Sequence, residues 1–275
     1  MNWKALLFSL FLIGASFVKA QNVTLSDSAE IYIMTLGPYQ GELYSAFGHS
    51  AIHLNDPKRN VDWVYNYGVF DFEQENFYWN FARGKMLYKL GLSRYSGFTK
   101  HYVEDNRYII EQRLNLTAKE KQEFVDFLTE NYKPENREYY YNYVYDNCAT
   151  KIRDVIQQNF PGRVQFDTSY VADGKTIRDL MDDYLAYQPW GDWIIDIGLG
   201  MQIDKVAEPL DYMFLPDYIA RGFEEATLDR DSNTVPLIAE TIEVYKPTTE
   251  EASNGVFTPF NVFVMFFFVV GFFTN

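Results

Sequence analysis

EYYYNYVYDNCATKIRDVIQQ, residues 138–158, is the stretch on which the fold turns. Glu138 to Tyr145 is aromatic and β-branched and reads as a strand. Asp146 and Asn147 then supply short polar side chains that accept from the open N–H groups of a helix start, so a helix begins at Cys148 and continues through ATKIRDVIQQ. This strand-turn-helix junction sets the one cysteine of the chain at a helix N-terminus. Unsatisfied N–H groups and the helix dipole favour an anion there, which lowers a thiol below its usual pKa of about 8.5.

Upstream of the junction the chain reads mostly as strands. Ala29 to Thr35 (AEIYIMT) alternates, and Gly37-Pro38 ends it. Leu43 to Leu54 contains FGHSAIHL and runs into the turn Asn55-Asp56-Pro57; Val61 to Phe72 (VDWVYNYGVFDF) follows as its antiparallel neighbour. Arg107 to Leu116 (RYIIEQRLNL) alternates as a further strand, while Phe77 to Leu92 mixes aromatics with Arg83-Gly84-Lys85 and is ambiguous. Thr117 and Glu120 have the spacing of a capping box, opening a helix to about Tyr132 with Phe124, Phe127 and Leu128 as its apolar stripe. Thr176 to Tyr187 reads as another helix, and Trp190 to Tyr218 carries short apolar pieces. The expected class is α+β, an antiparallel sheet packed on helices.

The two ends differ from this middle. Residues 1–20 have the parts of a secretory signal peptide: Lys4, an apolar stretch from Ala5 to Phe17, and Val18-Lys19-Ala20 before Gln21. That stretch is about 13 residues, where a membrane span needs roughly 20, so cleavage near Gln21 is expected. The cleavage point holds no cysteine, and the product is not itself expected to be a lipoprotein. Residues 21–227 would form the exported catalytic domain, and residues 228–255, polar and acidic with Pro236 and Pro247, an acidic linker or extension. Residues 256–273 are apolar and, from Ala252 onward, the chain has no charged side chain; this is the expected transmembrane segment. The chain stops soon after with no basic flank, as a shortened form of a longer polytopic protein would.

Charge and cysteine content narrow the function. The formal net charge is −14, from 24 basic and 38 acidic side chains, and it falls further once Lys4 and Lys19 leave with the signal. Nucleic acid, which is bound by neutralising phosphates, is therefore not an expected partner. A lone cysteine in an exported chain has no internal disulfide partner, so in an oxidising compartment Cys148 stays a free thiol or pairs between molecules.

Cysteine catalysis needs a thiolate, a base, and usually a group that holds the base. Cys148 is the candidate nucleophile and His49, between the small residues Gly48 and Ser50, the candidate base. In a strand, His49, Ala51 and His53 share one face, which keeps His53 as a second candidate. His101 lies in a polar tract and reads as exposed. For the third group, Asn66 on the neighbouring strand has an amide oxygen to accept the second N–H of the ring, and Asp62 is its rival. A metal reading of His49 and His53 lacks a third ligand and has Ser50 where zinc proteases carry a glutamate. Neither a metal nor a cofactor is expected; the glycines form no nucleotide or phosphate fingerprint.

FGHSAIHL, YNYGVFDF, YDNCATKIRD, WGDWIIDIGLG and MFLPDY, in that order over roughly residues 28 to 225, resemble the N-terminal periplasmic domain of Lnb-type lipoprotein N-acyltransferases. The resemblance implies a permuted papain-like fold, akin to the NlpC-type cell-wall peptidases and the lecithin retinol acyltransferase group, with histidine ahead of cysteine. It also implies that His49 and Cys148 are the reactive pair. The implied activity is that of an apolipoprotein N-acyltransferase at the periplasmic face of the inner membrane. Its partners would be a phospholipid acyl donor, the N-terminal amine of a diacylated lipoprotein, and the membrane itself. The same pair serves Cys-His hydrolases, such as a peptidoglycan amidase or endopeptidase or a phospholipase, and a non-catalytic envelope binding module is the third reading. Family members continue into several membrane helices, of which this chain would hold the first.

Overall fold

Side chains of Glu30–Leu36 (β1) are buried on both faces of the strand, Ile31 and Ile33 on one and Met34 and Leu36 on the other, which marks it as the middle of a sheet covered on two sides. In the computed structural model, which describes residues 23–70, 86–171, 174–231, 233–248 and 257–274, β1 is the third of seven antiparallel strands. The others are His49–Asp56 (β2), Val61–Phe70 (β3), Met86–Arg94 (β4), Ile109–Leu114 (β5), Glu138–Tyr141 (β6) and Ile238–Tyr245 (β10), in the order β10-β5-β1-β2-β3-β4-β6. β2 and β3 are antiparallel neighbours, with Ile52 opposite Tyr65 and Asn55 opposite Asp62. Val164–Gln165 (β7), Thr227–Arg230 (β8) and Asn233–Pro236 (β9) make a second, three-stranded sheet.

One face of the large sheet carries the main core. Ile31, Ile33, Ile52, Leu54 and Tyr65 pack there against the apolar faces of Ala118–Asn131 (α2), Cys148–Asn159 (α3) and Pro216–Glu224 (α6). The opposite face, with Met34, Leu36, Ala51 and Val64, is covered by Tyr95–Glu104 (α1) through Tyr95, Phe98 and Tyr102. A smaller core around Ile177–Leu185 (α4) takes in Leu43, Phe47 and Leu215. Pro189–Leu199 (α5) lies next to α4, and Pro259–Thr274 (α7) contacts α5. The result is α+β with an antiparallel sheet between helical layers.

Several local signals operate as read. Thr117 and Glu120 form a reciprocal capping box that opens α2, and Asn147 caps α3. Other expectations need correcting. The strand begun at Glu138 ends at Tyr141, because the Asn142 side chain accepts from the N–H groups of Val144 and Tyr145 and turns the chain there. The polar tract around His101 is a helix whose inner side is aromatic. Of the residues 228–255 read as an acidic linker or extension, 228–230, 233–236 and 238–245 lie in strands; β10 is the edge of the large sheet, and Glu240 and Glu243 are on its exposed positions, where charge protects an edge from pairing with another chain.

The expected transmembrane segment is helical only over Pro259–Thr274, 16 residues. At about 1.5 Å per residue this reaches roughly 24 Å, short of the roughly 30 Å of a bilayer core. Among the described residues no helix is long and apolar enough to cross a membrane. The signal peptide expected over residues 1–20 and the ambiguous residues 77–85 lie outside the described residues.

Candidate active site

Asn147 builds the corner that presents the thiol. Its Oδ1 accepts from the N–H groups of Ala149 and Thr150, both at 2.9 Å, while its Nδ2 donates to the carbonyls of Tyr143 and Phe214, both at 2.8 Å. Thr150 Oγ1 accepts in return from the Asn147 N–H at 2.7 Å. With every polar atom of its side chain engaged, this buried asparagine fixes the first turn of α3, and Cys148 is the first residue of that turn. Cys148 is buried, with 8% of the residue's surface exposed.

His49 opens β2 opposite Leu36. The preceding Gly48 has φ of +80°, and a Cβ there would lie 2.7 Å from the Leu36 carbonyl oxygen, so glycine is required for the chain to enter the strand in this register. His49 Nε2 lies 2.6 Å from Asn66 Oδ1. An amide oxygen only accepts, so Nε2 carries the proton and Nδ1 is the ring nitrogen left for the thiol. Tyr102 stacks at 6.5 Å between ring centroids and Phe98 lies tilted at 6.4 Å, and together they wall the imidazole from the α1 side.

The thiol and imidazole act on each other. Burial alone would raise the Cys148 pKa, but the charge of His49, its hydrogen bond, and the N–H groups of Ser50 and Ala149 outweigh burial and hold the thiol below its usual range. For His49, burial lowers the pKa, while the thiolate charge, its hydrogen bond and Asn66 raise it above the usual value. Both directions favour a thiolate-imidazolium pair.

Gly68, on β3, was not singled out from the sequence. Its φ is +98°, and a Cβ built on it would stand 3.6 Å from the Cys148 Cβ and 3.7 Å from His49 Cε1. The glycine thus leaves open the space directly over the pair. It sits where the pairing of β3 with β4 slips between Asn66 and Val69, and a lone glycine inside a strand pattern is the sequence signal of such a bulge.

The remaining candidates are elsewhere. His53 Nδ1 lies 3.1 Å from Glu111 Oε1 and its Nε2 2.9 Å from Asp62 Oδ1, while its ring stacks on Tyr95 at 4.0 Å and Tyr32 at 5.3 Å. Asp62 therefore holds His53, not His49. An open cleft of about 490 Å³ borders His53. Its size does not make it a reaction centre, because it is lined by carboxylates and aromatics and has no nucleophile of the kind Cys148 offers. His101 is exposed on α1 beside Asp105. Among the described residues, Asp182, Asp192 and Asp196 are the side chains grouped closely enough to ligate a metal ion, but Arg178 already pairs with Asp196.

A family model described as the Lnb N-terminal periplasmic domain matches residues 17–183, a span that contains His49, Asn66 and Cys148. No curated protein and no solved structure matches the chain.

Proposed function

This chain belongs to the Lnb N-terminal periplasmic domain family, and we propose that it is a cysteine-dependent N-acyltransferase that moves a fatty acyl chain from a phospholipid to the N-terminal amine of a diacylated lipoprotein. The observation that carries the reading is the line from Asn66 through His49 to a thiol at the start of α3. In the first step the Cys148 thiolate attacks the ester carbonyl of the donor, and the C–O bond breaks. The His49 imidazolium gives its proton to the departing lysophospholipid oxygen, leaving a thioester. In the second, the uncharged lipoprotein amine attacks that thioester, His49 takes a proton from nitrogen, and the amide leaves as the thiolate returns. The Cys148 N–H, which Asn147 leaves uncapped, is available to the oxyanion of both steps.

The partners in this reading are lipids, and α7 supports it. From Phe257 to Phe273 the helix and the residues leading into it expose large apolar side chains, which a bilayer surface would take up. The location is then the periplasm, at the outer face of the inner membrane.

Mass spectrometry of the lipoprotein N-terminal peptide, with and without the protein in phospholipid vesicles, tests the proposal. A gain of one amide-linked acyl chain is expected. Release of free fatty acid with the amine unmodified would replace transfer with phospholipase activity, and changes confined to muropeptides would replace it with cell-wall hydrolysis.

A further inference from the structure

α5 is apolar on more than one side. Ile195 and Leu199 pack on the small core around α4, and beside them Asp196 pairs with Arg178 of α4, whose guanidinium also donates to Asp204 at 2.7 Å and to the Gly200 carbonyl at 2.9 Å. Asp192 meets Asp182 of α4, where burial and the neighbouring carboxylate push Asp182 up to about 6. A second apolar row faces outward. Ile194 is 56% exposed, Ile197 63% and Met201, just past the helix end, 87%. Trp190, Ile194, Ile197 and Met201 recur at the spacing of one helical face. No residue of α5 is fully buried. Such an orientation exposes apolar surface at a cost that an apolar medium removes.

α7 identifies the medium. Met265, Phe266, Phe267, Phe268 and Val269 are consecutive and all exposed, so they point in every direction around the helix. A protein groove covers one face of such a helix; lipid surrounds it. α7 is continuous with α5: the Trp190 Nε1–H donates to the Phe257 carbonyl at 2.8 Å, and Trp193 packs on Phe263 at 5.5 Å between centroids. At its other flank α5 is pressed onto the loop leading to His49, since a Cβ at Gly191 would lie 2.5 Å from Leu43 Cδ1.

We infer that α5 and the turn after it, residues 189–203, are a membrane-docking element, lying in the headgroup boundary of a phospholipid bilayer with Ile194, Ile197 and Met201 in the acyl region. This rests on the membrane-associated reading above and adds the surface that meets lipid. The loop through Leu43, which leads to His49, is thereby brought to the bilayer. Tryptophans at the lipid boundary with apolar side chains toward the acyl region are the arrangement of an element lying in the interface.

Replacing Cys148 by Ala frees the chain of thiols, so one label reports one position. The full-length Cys148→Ala chain carrying Ile197→Cys, labelled with a polarity-sensitive fluorophore, is placed in phosphatidylcholine vesicles; Lys119→Cys, on the exposed start of α2, is the reference. Blue-shifted emission at 197 that is quenched about twofold or more by brominated phosphatidylcholine, with no quenching at 119, is expected. Water-like emission at 197, or quenching equal at the two positions, overturns the assignment. A blue shift at 197 that needs no lipid and grows with protein concentration also overturns it, in favour of a second copy covering α5. Because the labelled chain has no nucleophile, the result stands apart from acyl transfer: loss of the transferase reading would leave a lipid-buried position 197 intact.

Discussion

Asn66 holds His49 and Asp62 holds His53, through contacts of 2.6 and 2.9 Å, so the two carbonyl-bearing side chains of β3 serve different histidines of β2. Strand register decides this. His49 and His53 on β2 and Asp62 and Asn66 on β3 share one sheet face, and with His53 opposite Val64 each ring reaches diagonally to the oxygen two positions along the neighbouring strand.

Asn66→Ala should therefore act on catalysis through ring orientation. Loss of a hydrogen bond to a group that becomes charged costs about 1.5 to 3 kcal/mol, which corresponds to roughly a 10- to 100-fold fall in kcat. KM should move little, and an unchanged kcat would remove Asn66 from the site.

Cys148 should be alkylated with a pH midpoint below the usual thiol value of about 8.5. The sign follows from the pair: a lowered thiol and a raised imidazole leave the ion pair populated between the two, with acylation failing below as the thiolate takes a proton and above as the imidazolium loses one. In His49→Ala, burial acts on the thiol with only the Ser50 and Ala149 N–H groups against it, so the midpoint should rise. An identical midpoint in both proteins would show that His49 does not face the thiol in solution.

His53→Ala should cost stability and spare reactivity. Removing the ring leaves Glu111, 5% exposed, with Tyr95 but without its histidine partner, a loss on the order of 1 to 3 kcal/mol for a buried polar group deprived of a hydrogen bond. Urea titration measures it. The surviving folded protein should alkylate at Cys148 at the wild-type rate, and a fall in that rate would bring His53 into the site after all.

Glu120 gives the fold an acid limb. Burial raises its pKa, but the Thr117 N–H, Arg163 and Arg230 lower it more, leaving it at about 2. A folded pKa below the unfolded value of 4.5 means the stabilisation is complete above about 5 and is lost as pH falls toward about 2, in total roughly 2 to 3 kcal/mol. Glu120→Gln should lower the urea midpoint at pH 7 and flatten its fall between pH 5 and 2. A variant with the wild-type acid slope would assign that slope to other carboxylates.

What the sequence discloses and what it hides follow from the range of each interaction. The caps of α2 and α3 involve residues within four positions of each other, so Thr117, Glu120 and Asn147 were readable with their roles. His49 and Cys148 were readable as types at telling positions. Whether Asn66 or Asp62 reaches His49 depends on the register of β2 on β3, which no local signal sets. The edge strand β10 was hidden because its outward glutamates resemble those of a solvated linker, and its pairing with β5 is far away in sequence. α1 was hidden for a different reason: its apolar residues answer to the sheet face it covers, and its helical moment is spread over aromatic rings with polar ends.

Gly68→Ala is the sharpest test of the space above the pair. At φ of +98° an alanine is strained, by about 1 to 2 kcal/mol, so some stability should be lost. The new methyl would make ordinary contacts with Cys148 and His49 and need not displace them. It would occupy the volume through which an acyl carbonyl must approach to about 3 to 3.5 Å of sulfur. Turnover should then fall much further than strain predicts, on the order of 100-fold, because a misplacement near 1 Å at the reacting atoms has that effect. Alkylation by the small reagent iodoacetamide should slow less than alkylation by a bulky maleimide. Gly97→Ala on α1, where a Cβ meets nothing within 4 Å, is the control and should leave turnover unchanged. If Gly68→Ala loses stability but retains wild-type turnover, the acyl group approaches the thiol from another side.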